Sequence, residues 1–271
     1  MPELPEVART AITLHQSMSG AAILEIKIHS GRYSRHGSPE GYAEISQHLP
    51  IYVSSVTSKG KFILITAANP LKNWYIWNTL GMSGSWKMER SKHSHIEFVT
   101  DKGSFFFTDM RNFGTIKFTD SLEKTSAKLQ SIGPDHLGIA ISDLEFKQRI
   151  SRKSKLNITK ALMDQSLISG VGNYIKAEAL YMAGISPLRI VGSLSDSEFS
   201  KLNKAISEIV VASFLSGGAT IKTYSGLNDE KGNYTFSFKV YGRKKCEAGF
   251  DVVRETTEDG RTTHWVPELQ K

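Results

Sequence analysis

The apolar positions of the chain predict strands in its first half and helices in its second. Between residues 21 and 118, short stretches rich in β-branched and aromatic residues are separated by Gly, Asn and Asp turn signals. These stretches are AILEIKI, IYVSSVTS, KFILIT, NWYIWNTL, HIEFVT, SFFFTD and GTIKF. Because they follow one another without an intervening helical pattern, they predict an antiparallel β-sandwich.

One helix is expected ahead of these strands. Its apolar face is marked by residues at helical spacing: Val7, Ala11, Leu14 and Met18. Pro5 suits a first helical position, and Leu4, which precedes it, is biased toward an extended backbone. Pro2 and Glu3 are therefore expected in a short, exposed, extended arm in front of the helix.

Helical patterns follow the segment GPDHLG. They cover SDLEFKQRI, ITKALMDQ, NYIKAEALYMAG and a long stretch that is capped by Ser193 or Ser195 and ends at Gly217 and Gly218. A polar loop over 220–235 comes next. The chain then ends in the β-rich stretches FSFKVYGRKK, FDVVRET and TTHWVP.

The last two stretches predict a β-hairpin around EDGR. Asp259-Gly260 is the expected turn, and Val252 or Val253 is expected opposite His264 or Trp265. The fold class predicted is α+β, with a sandwich and its N-terminal helix at 1–128, a helical domain with the polar loop at 129–234, and the hairpin segment at 235–271.

Composition narrows the function. The formal net charge of +7 favours an anionic partner, and nucleic acid is the commonest one, although a merely basic surface remains the alternative. The only cysteine, Cys246, excludes an internal disulfide and a Cys-rich metal site. No apolar run approaches the roughly 18 residues of a membrane span. We expect a monomer inside the cell, in the nucleus or in the bacterial cytoplasm and nucleoid, with no membrane partner.

Three short motifs carry candidate chemistry. If Met1 is removed, Pro2 presents a secondary amine that can attack a sugar carbon, and Glu3 can pass the proton that opens the sugar ring. SKGKF places Lys61 at a strand start, and ISGVGNYIKAE delivers Asn173 to a helix N-terminus suited to phosphate. A capped helix start, a solvated strand edge and a helix cap are the respective structural alternatives.

Seven motifs occur in one order along nearly the whole chain: MPELPEV, GKF, LGMSGS, KHSH, DMRNFG, LMDQSLISGVGNYIKAEALYMAGISP and VYGRK. Together they resemble the formamidopyrimidine-DNA glycosylase / endonuclease VIII family. The resemblance implies a bifunctional DNA glycosylase and AP lyase. Its architecture would be an N-terminal β-sandwich, a helix-two-turn-helix domain and a C-terminal finger. The partner implied is double-stranded DNA with oxidised bases or abasic sites.

The resemblance also implies roles for individual residues. Pro2 would be the Schiff-base nucleophile, Glu3 the acid, and Glu6 a support for the site. Lys61 would assist β-elimination, and Arg261 would assist δ-elimination, with a solvated turn arginine as the alternative for Arg261. DNA contacts are expected from His93, Arg111, Lys155, Asn173, Tyr241 and Arg243. Met82, Arg111 and Phe113 resemble the trio that fills the void left by a flipped base, with core packing as the alternative for Met82 and Phe113.

The chain departs from the usual family pattern in two places. Most bacterial members hold the finger with four cysteines and zinc, but here Cys246 has only His264 as a nearby imidazole, so the resemblance is to the zincless-finger branch. Neither metal nor cofactor is expected. The lysine that usually precedes LMD is shifted, and Lys155 and Lys160 remain candidates for phosphate contact.

Other functions stay open at this point. A catalytically silent protein that binds damaged DNA or abasic sites is the main alternative, and an RNA-binding protein is a weaker one. For the enzyme, Leu4 and the loop over 220–235 resemble readers of oxidised purines. SGRYS and DMRNFGT resemble members that favour oxidised pyrimidines and hydantoins. The sequence slightly favours purines.

Overall fold

The computed structural model describes residues 1–219 and 238–271. These residues form two compact units. The first unit contains 1–2, 6–130 and 218–219, and the second contains 3–5, 131–217 and 238–271. No helix among the described residues is long and apolar enough to cross a membrane. The three-part domain division drawn from the sequence stays a prediction.

The first unit is built on one eight-stranded antiparallel sheet with the order β5-β7-β6-β1-β2-β3-β4-β8. Its strands are β1 (Ala22–Ile28), β2 (Ile51–Lys59), β3 (Phe62–Ala68), β4 (Asn73–Thr79), β5 (Gly84–Lys87), β6 (Ser94–Thr100), β7 (Gly103–Asp109) and β8 (Thr115–Thr119). The helices are α1 (Leu4–Met18), α2 (Arg32–Arg35), α3 (Tyr42–Ser46) and α4 (Leu122–Ser131).

The sheet closes on itself as a sandwich. Phe98 of β6 and Phe118 of β8 have ring centroids 6.3 Å apart, although β1, β2, β3 and β4 lie between these strands in the sheet order. The indole of Trp86 in β5 donates to the Asn78 side-chain oxygen in β4 at 3.0 Å. The buried face of α1, including Leu14 and Met18, belongs to the same apolar core. This architecture confirms the predicted sandwich with its N-terminal helix.

The strand pattern missed short elements. Strand β5 was not predicted because Gly84 and Ser85 interrupt its apolar pattern, and only Trp86 is a large apolar residue in it. The helices α2, α3 and α4 were also missed. Helices α2 and α3 span four and five residues, which is too short for a periodic pattern.

The helical part of the second unit follows the predicted segments. Its helices are α5 (Asp143–Ser151), α6 (Ile158–Met163), α7 (Asn173–Ala183) and α8 (Asp196–Leu215), with a 3-10 turn at Val191–Ser193. Ser195, rather than Ser193, caps α8, because Glu198 lies at the third helical position and completes a reciprocal capping box with it. Helix α7 is buried over most of its length.

The finger, by which we mean the described residues 238–271, contains a two-stranded hairpin. Strand β9 (Val253–Thr256) pairs with β10 (Thr262–Trp265), and Val253 lies opposite Trp265 as predicted. The loop is longer than the expected two-residue turn, since β9 ends at Thr256 and β10 begins at Thr262. Within the loop, the Thr257 amide donates to the Arg261 carbonyl at 3.1 Å. The predicted strand FSFKVYGRKK is wrong for 238–244, which contain bends and turns but no strand, and its first two residues, 236–237, lie outside the described residues.

Backbone hydrogen bonds and a small apolar core order the finger. Buried Cys246 packs with Val240 and Val266, and the Cys246 amide donates to the Phe250 carbonyl at 2.9 Å. The end of the chain binds the end of α7, where the Lys271 amide donates to the Gly184 carbonyl at 3.0 Å. Cys246 is therefore a core residue.

Because these contacts need no metal, we predict that excess chelator leaves the thermal unfolding transition unchanged. Calorimetry with and without chelator, together with elemental analysis, checks this. A zinc-finger protein treated in the same way serves as the positive control for zinc removal. A lower transition temperature or stoichiometric zinc would contradict the account of the finger.

Candidate active site and nucleic-acid interface

The carboxylate of Glu3 is bound to the start of α7. Its two oxygens accept hydrogen bonds from the backbone amides of Gly172 at 2.8 Å, Tyr174 at 2.9 Å and Ile175 at 3.2 Å. These amides have no partner within the helix, and the helix dipole favours a negative charge there. The sequence predicted that the helix start in ISGVGNYIKAE would bind a phosphate. In the structure these amides bind the carboxylate of Glu3 instead.

Gly172 makes this close approach possible. A Cβ atom at this position would lie 2.2 Å from the Glu3 carboxyl carbon. The Leu4 amide also donates to the Gly170 carbonyl at 3.1 Å, which extends the contact by one residue. Any side chain at 172 would push Glu3 off the helix amides, so the glycine is a requirement of the site.

The expected exposed arm at the N-terminus is wrong. Pro2 is buried, and the side chains of Glu3 and Leu4 are 2 % and 1 % exposed. The bias of a pre-proline residue toward extended backbone is overridden, since Leu4 begins α1. The contacts of Glu3 and Leu4 with 170–175 explain their burial.

Glu6 is fully buried and binds the backbone at Ala219, the last described residue before 220. One carboxylate oxygen accepts from the Ala219 amide at 2.7 Å. Glu6 therefore fixes the backbone of Ala219. The predicted polar loop over 220–235 lies outside the described residues.

The two lysines of SKGKF differ in their environment. The Lys59 ammonium donates to the carbonyl of Leu129 near the end of α4 at 2.8 Å, a position where a helix favours a cation. Lys61 follows the turn residue Gly60 and is half-buried. Lys59 therefore has a structural role, and the role of Lys61 in β-elimination stays a prediction.

A buried aspartate shapes the loop DMRNFG. One Asp109 carboxylate oxygen accepts from the Arg111 amide at 3.2 Å and the Ser83 hydroxyl at 2.5 Å, and the other accepts from the Gly114 amide at 2.7 Å. Asn112 adopts a left-handed backbone with φ of 57°. These bonds fix a tight loop that leaves the Arg111 side chain exposed.

The proposed void-filling residues lie together on this loop and its neighbour. Phe113 is 55 % exposed, and the Arg111 guanidinium lies 5.1 Å from its ring centroid. Gly81 has φ of +60°, and a Cβ there would lie 2.6 Å from the Gly114 amide nitrogen, so its turn packs directly on the loop. Half-buried Met82 follows that glycine. Core packing is thereby excluded for Phe113.

The histidines of KHSH separate into two roles. The His93 carbonyl accepts from the Asp109 amide at 3.0 Å, which places half-buried His93 beside the same loop. Buried His95 makes hydrogen bonds with the Ser30 hydroxyl at 2.9 Å and the Asp109 carbonyl at 2.7 Å. His95 is structural, and His93 is available to a ligand.

A basic groove of about 380 Å³ adjoins the loop and was not predicted. It is lined by Gly31, Arg32, Arg35, His36, Arg111, Asn112 and Phe113. The Arg32 amide donates to the Asn112 side chain at 3.2 Å, which ties α2 to the loop. The signal in the sequence was the density of basic residues in GRYSRH.

Asn173 and Tyr241 connect α7 to the finger. The Asn173 side-chain nitrogen donates to the Thr262 carbonyl at 2.9 Å, and its buried side-chain oxygen has no hydrogen-bond partner among the described residues. Tyr241 packs against the rings of Tyr174 and His264 with centroid distances of 6.3 and 5.0 Å. Burial, followed by the negative charge of Glu3, raises the pKa of the Tyr241 hydroxyl.

The remaining basic candidates occupy different settings. The Arg243 guanidinium donates to the Phe238 carbonyl, so it stabilises a turn of the finger. Lys155 is exposed in the segment between α5 and α6, and Lys160 makes an exposed ion pair with Glu258 at 3.3 Å. These positions leave Lys155 the more accessible of the two lysines.

Arg261 lies where the hairpin loop returns to β10. The expected exposed and basic tip is wrong, because Arg261 is half-buried and two acids, Glu258 and Asp259, precede it in the loop. The side chain of Asp259 is itself 3 % exposed and pairs with Lys176 of α7 at 2.5 Å. The pairing of Lys176 with Asp259 was not predicted, because their positions in the sequence carry no sign of this contact.

The residues present do not fit a zinc site. Within 1–219 and 238–271, no group of three or more His, Cys, Asp or Glu side chains could hold a metal ion. His264 packs against Tyr241, and burial is the largest cause that lowers its pKa. The single cysteine and this geometry match the zincless-finger branch.

The comparisons with known proteins agree on the family. A model of the formamidopyrimidine-DNA glycosylase N-terminal domain matches residues 1–116, and a model of its H2TH domain matches 132–225. The formamidopyrimidine-DNA glycosylases of Klebsiella pneumoniae and Desulfitobacterium hafniense are 34 % and 33 % identical, and each alignment covers 100 % of both chains.

Solved structures give the same result. The MutM (Fpg) protein of Thermus thermophilus superposes with a TM-score of 0.87 at 27 % identity, covering 99 % of this chain and 98 % of that one. A Lactococcus lactis FPG variant in complex with DNA containing Fapy-dG has a TM-score of 0.88 at 26 % identity, with 100 % of both chains covered. The chain therefore belongs to the formamidopyrimidine-DNA glycosylase family, in its zincless-finger branch.

Proposed function

We propose that this chain excises oxidised bases through a Schiff base on Pro2 and cleaves the resulting abasic site by β,δ-elimination. Family membership makes it a DNA glycosylase and AP lyase of base excision repair, with double-stranded DNA as its partner inside the cell. The observation that supports the Schiff-base proposal is the position of the Glu3 carboxylate. Glu3 directly follows Pro2 in the chain, and three backbone amides hold its carboxylate in place.

The proposed chemistry begins once Met1 has been removed. The Pro2 nitrogen bonds to C1′ of the sugar while the bond from C1′ to the base breaks, and the base leaves with the electron pair and takes a proton. The Glu3 carboxylate then takes the proton that the Pro2 nitrogen loses and passes it to O4′, the C1′–O4′ bond breaks, and the nitrogen forms an iminium with C1′. Three fixed hydrogen bonds suit Glu3 to this transfer because its position is set before DNA binds.

The iminium makes strand cleavage possible. Loss of a C2′ proton expels the 3′-phosphate with the C3′–O electron pair, and subsequent loss of a C4′ proton expels the 5′-phosphate in the same way. We propose Lys61 for proton transfer in the first step and Arg261 for stabilising the departing phosphate in the second. A catalytically silent binder has no need of this set, so we favour the enzyme.

We further propose that Phe113, Met82 and Arg111 fill the void left by the flipped base. The exposed Phe113 ring can stack between the bases of the DNA duplex. The Arg111 guanidinium, which lies over that ring, can face the base opposite the flipped one. His93 and the basic groove of Arg32, Arg35 and His36 would contact phosphates near this loop. In the second unit, phosphate contacts are proposed for Asn173, Lys155, Tyr241 and Arg243.

The lesion preference proposed is for oxidised purines, including 8-oxoguanine and formamidopyrimidines, ahead of oxidised pyrimidines and hydantoins. Leu4 supports it by its resemblance to purine readers. The polar loop over 220–235, on which the preference also rests, lies outside the described residues, and Glu6 would fix its start through Ala219. A panel of duplexes that each carry one of these lesions tests the preference.

An abasic-site duplex tests the enzyme against the silent binder. We expect cleavage to β- and δ-elimination products and, with borohydride present, a covalent adduct of protein and DNA. Tight binding without either product would favour the silent binder. An intact duplex without the abasic site is the control and should give no adduct.

Glu3→Gln keeps the shape of the side chain but removes the group that carries the proton. We expect base excision to fall by roughly 10²–10⁴-fold, the usual contribution of a general acid, while lesion DNA is still bound. Single-turnover excision and a binding titration measure the two effects. Excision within a few fold of wild type would remove Glu3 from the proton transfer.

Phe113→Ala separates base flipping from the chemistry. Flipping costs a few kcal/mol of stacking, so excision from a duplex should fall by about tenfold or more when the ring is lost. Cleavage of a preformed abasic site should change much less, because no base remains to be extruded. Equal losses on both substrates would contradict the void-filling role.

A further inference from the structure

A buried ion pair joins α7 to the hairpin loop of the finger. The Lys176 ammonium lies 2.5 Å from an Asp259 carboxylate oxygen, and the two side chains are 0 % and 3 % exposed. Isolated burial of either charge would be costly, so the two stabilise each other only in this geometry. Burial lowers the pKa of Lys176, and Asp259 opposes that effect.

Asp259 also organises the loop that leads to Arg261. Its other carboxylate oxygen accepts from the Thr257 hydroxyl at 2.6 Å and from the Arg261 amide at 3.4 Å. The Thr257 amide in turn donates to the Arg261 carbonyl at 3.1 Å, and the Thr257 hydroxyl accepts from the Thr263 hydroxyl at 2.7 Å. Asp259 therefore binds the Arg261 amide directly, and it also binds the side chain of Thr257, whose amide holds the Arg261 carbonyl.

The position of Lys176 on α7 links this loop to Glu3. Lys176 lies one helical turn after Asn173, which binds the Thr262 carbonyl, and both side chains face the finger. The first-turn amides of the same helix hold the Glu3 carboxylate. One rigid helix therefore carries the contacts of both Glu3 and the Arg261 loop.

We propose that Lys176 and Asp259 are positioning residues that fix Arg261 for the δ-elimination step and for engagement of lesion DNA. The proposal rests on the proposed function, because it assigns a purpose to the placement of Arg261. In this finger, the buried pair of Lys176 and Asp259 orients the hairpin loop. The loop in turn places the Arg261 guanidinium to stabilise the departing phosphate.

The neighbouring acid provides a matched control. Glu258 precedes Asp259 in the loop and pairs with Lys160 at 3.3 Å, but the two side chains are 58 % and 43 % exposed. Exposed pairs contribute little to stability or position. Asp259→Asn and Glu258→Gln therefore make the same chemical change at adjacent positions, one on the buried pair and one on the exposed pair.

The readout is the ratio of δ- to β-elimination products from an abasic-site duplex. We expect Asp259→Asn to lower this ratio by about tenfold or more, since small displacements of a catalytic group have effects of this size. Glu258→Gln should leave the ratio unchanged. Borohydride trapping should be retained in both variants, which separates failure of this proposal from failure of the Schiff-base chemistry.

A double variant distinguishes positioning from general damage to the fold. If Asp259 acts through Arg261, Asp259→Asn should change the product ratio little further in an Arg261→Ala background. Independent, multiplicative losses would overturn the proposal, as would a wild-type ratio in a folded Asp259→Asn protein. If Asp259→Asn does not fold, Thr257→Val decides, since it removes the hydroxyl that donates to Asp259 and contacts the Thr263 hydroxyl, while the ion pair of Asp259 with Lys176 is kept. That variant should lower the ratio by about threefold or more, and an unchanged ratio would overturn the proposal.

Discussion

The structure depends on one contact, the Glu3 carboxylate at the N-terminus of α7. Three backbone amides that a helix leaves unpaired are satisfied by a side chain more than 165 positions earlier in the chain. The contact requires Gly172, because a Cβ there would lie 2.2 Å from the Glu3 carboxyl carbon. It also explains why Glu3 is buried. A segment that commonly frays is fixed here because its third residue completes a helix.

Helix α7, which binds Glu3 at its N-terminus, also holds the finger in place. Its N-terminal Asn173 binds the Thr262 carbonyl, Lys176 binds Asp259, and the Glu178 carboxylate accepts the amides of 239–241 at 2.7 to 2.9 Å. At its other end the Gly184 carbonyl accepts from the Lys271 amide. These bonds occur along the whole length of the helix. They provide the order that a zinc ion gives to fingers with four cysteines, so Cys246 is free to serve as an apolar core residue.

The sequence predicted those features that depend on local pattern. The sandwich strands, the helices of the second unit and the Val253–Trp265 pair follow from periodicity, capping residues and turn chemistry. Features that depend on distant contacts were not predictable. The burial of Glu3 and Leu4 requires knowledge of 170–175, and the burial of Asp259 requires knowledge of Lys176. In the loop DMRNFG, the exposed Phe113 follows from the bonds of Asp109 to Ser83 and Gly114, which a linear pattern does not contain.

The central claim is that the nitrogen of Pro2 carries the reaction. Peptide mapping by mass spectrometry of the adduct formed with an abasic-site duplex and borohydride tests it most directly. The account predicts that Met1 is absent from the trapped protein and that the sugar remnant is attached to the Pro2 nitrogen. Lys176 is buried in an ion pair and should be unmodified. A remnant on Lys61, Lys176 or any other lysine, or an adduct formed by a protein that retains Met1, would contradict the account.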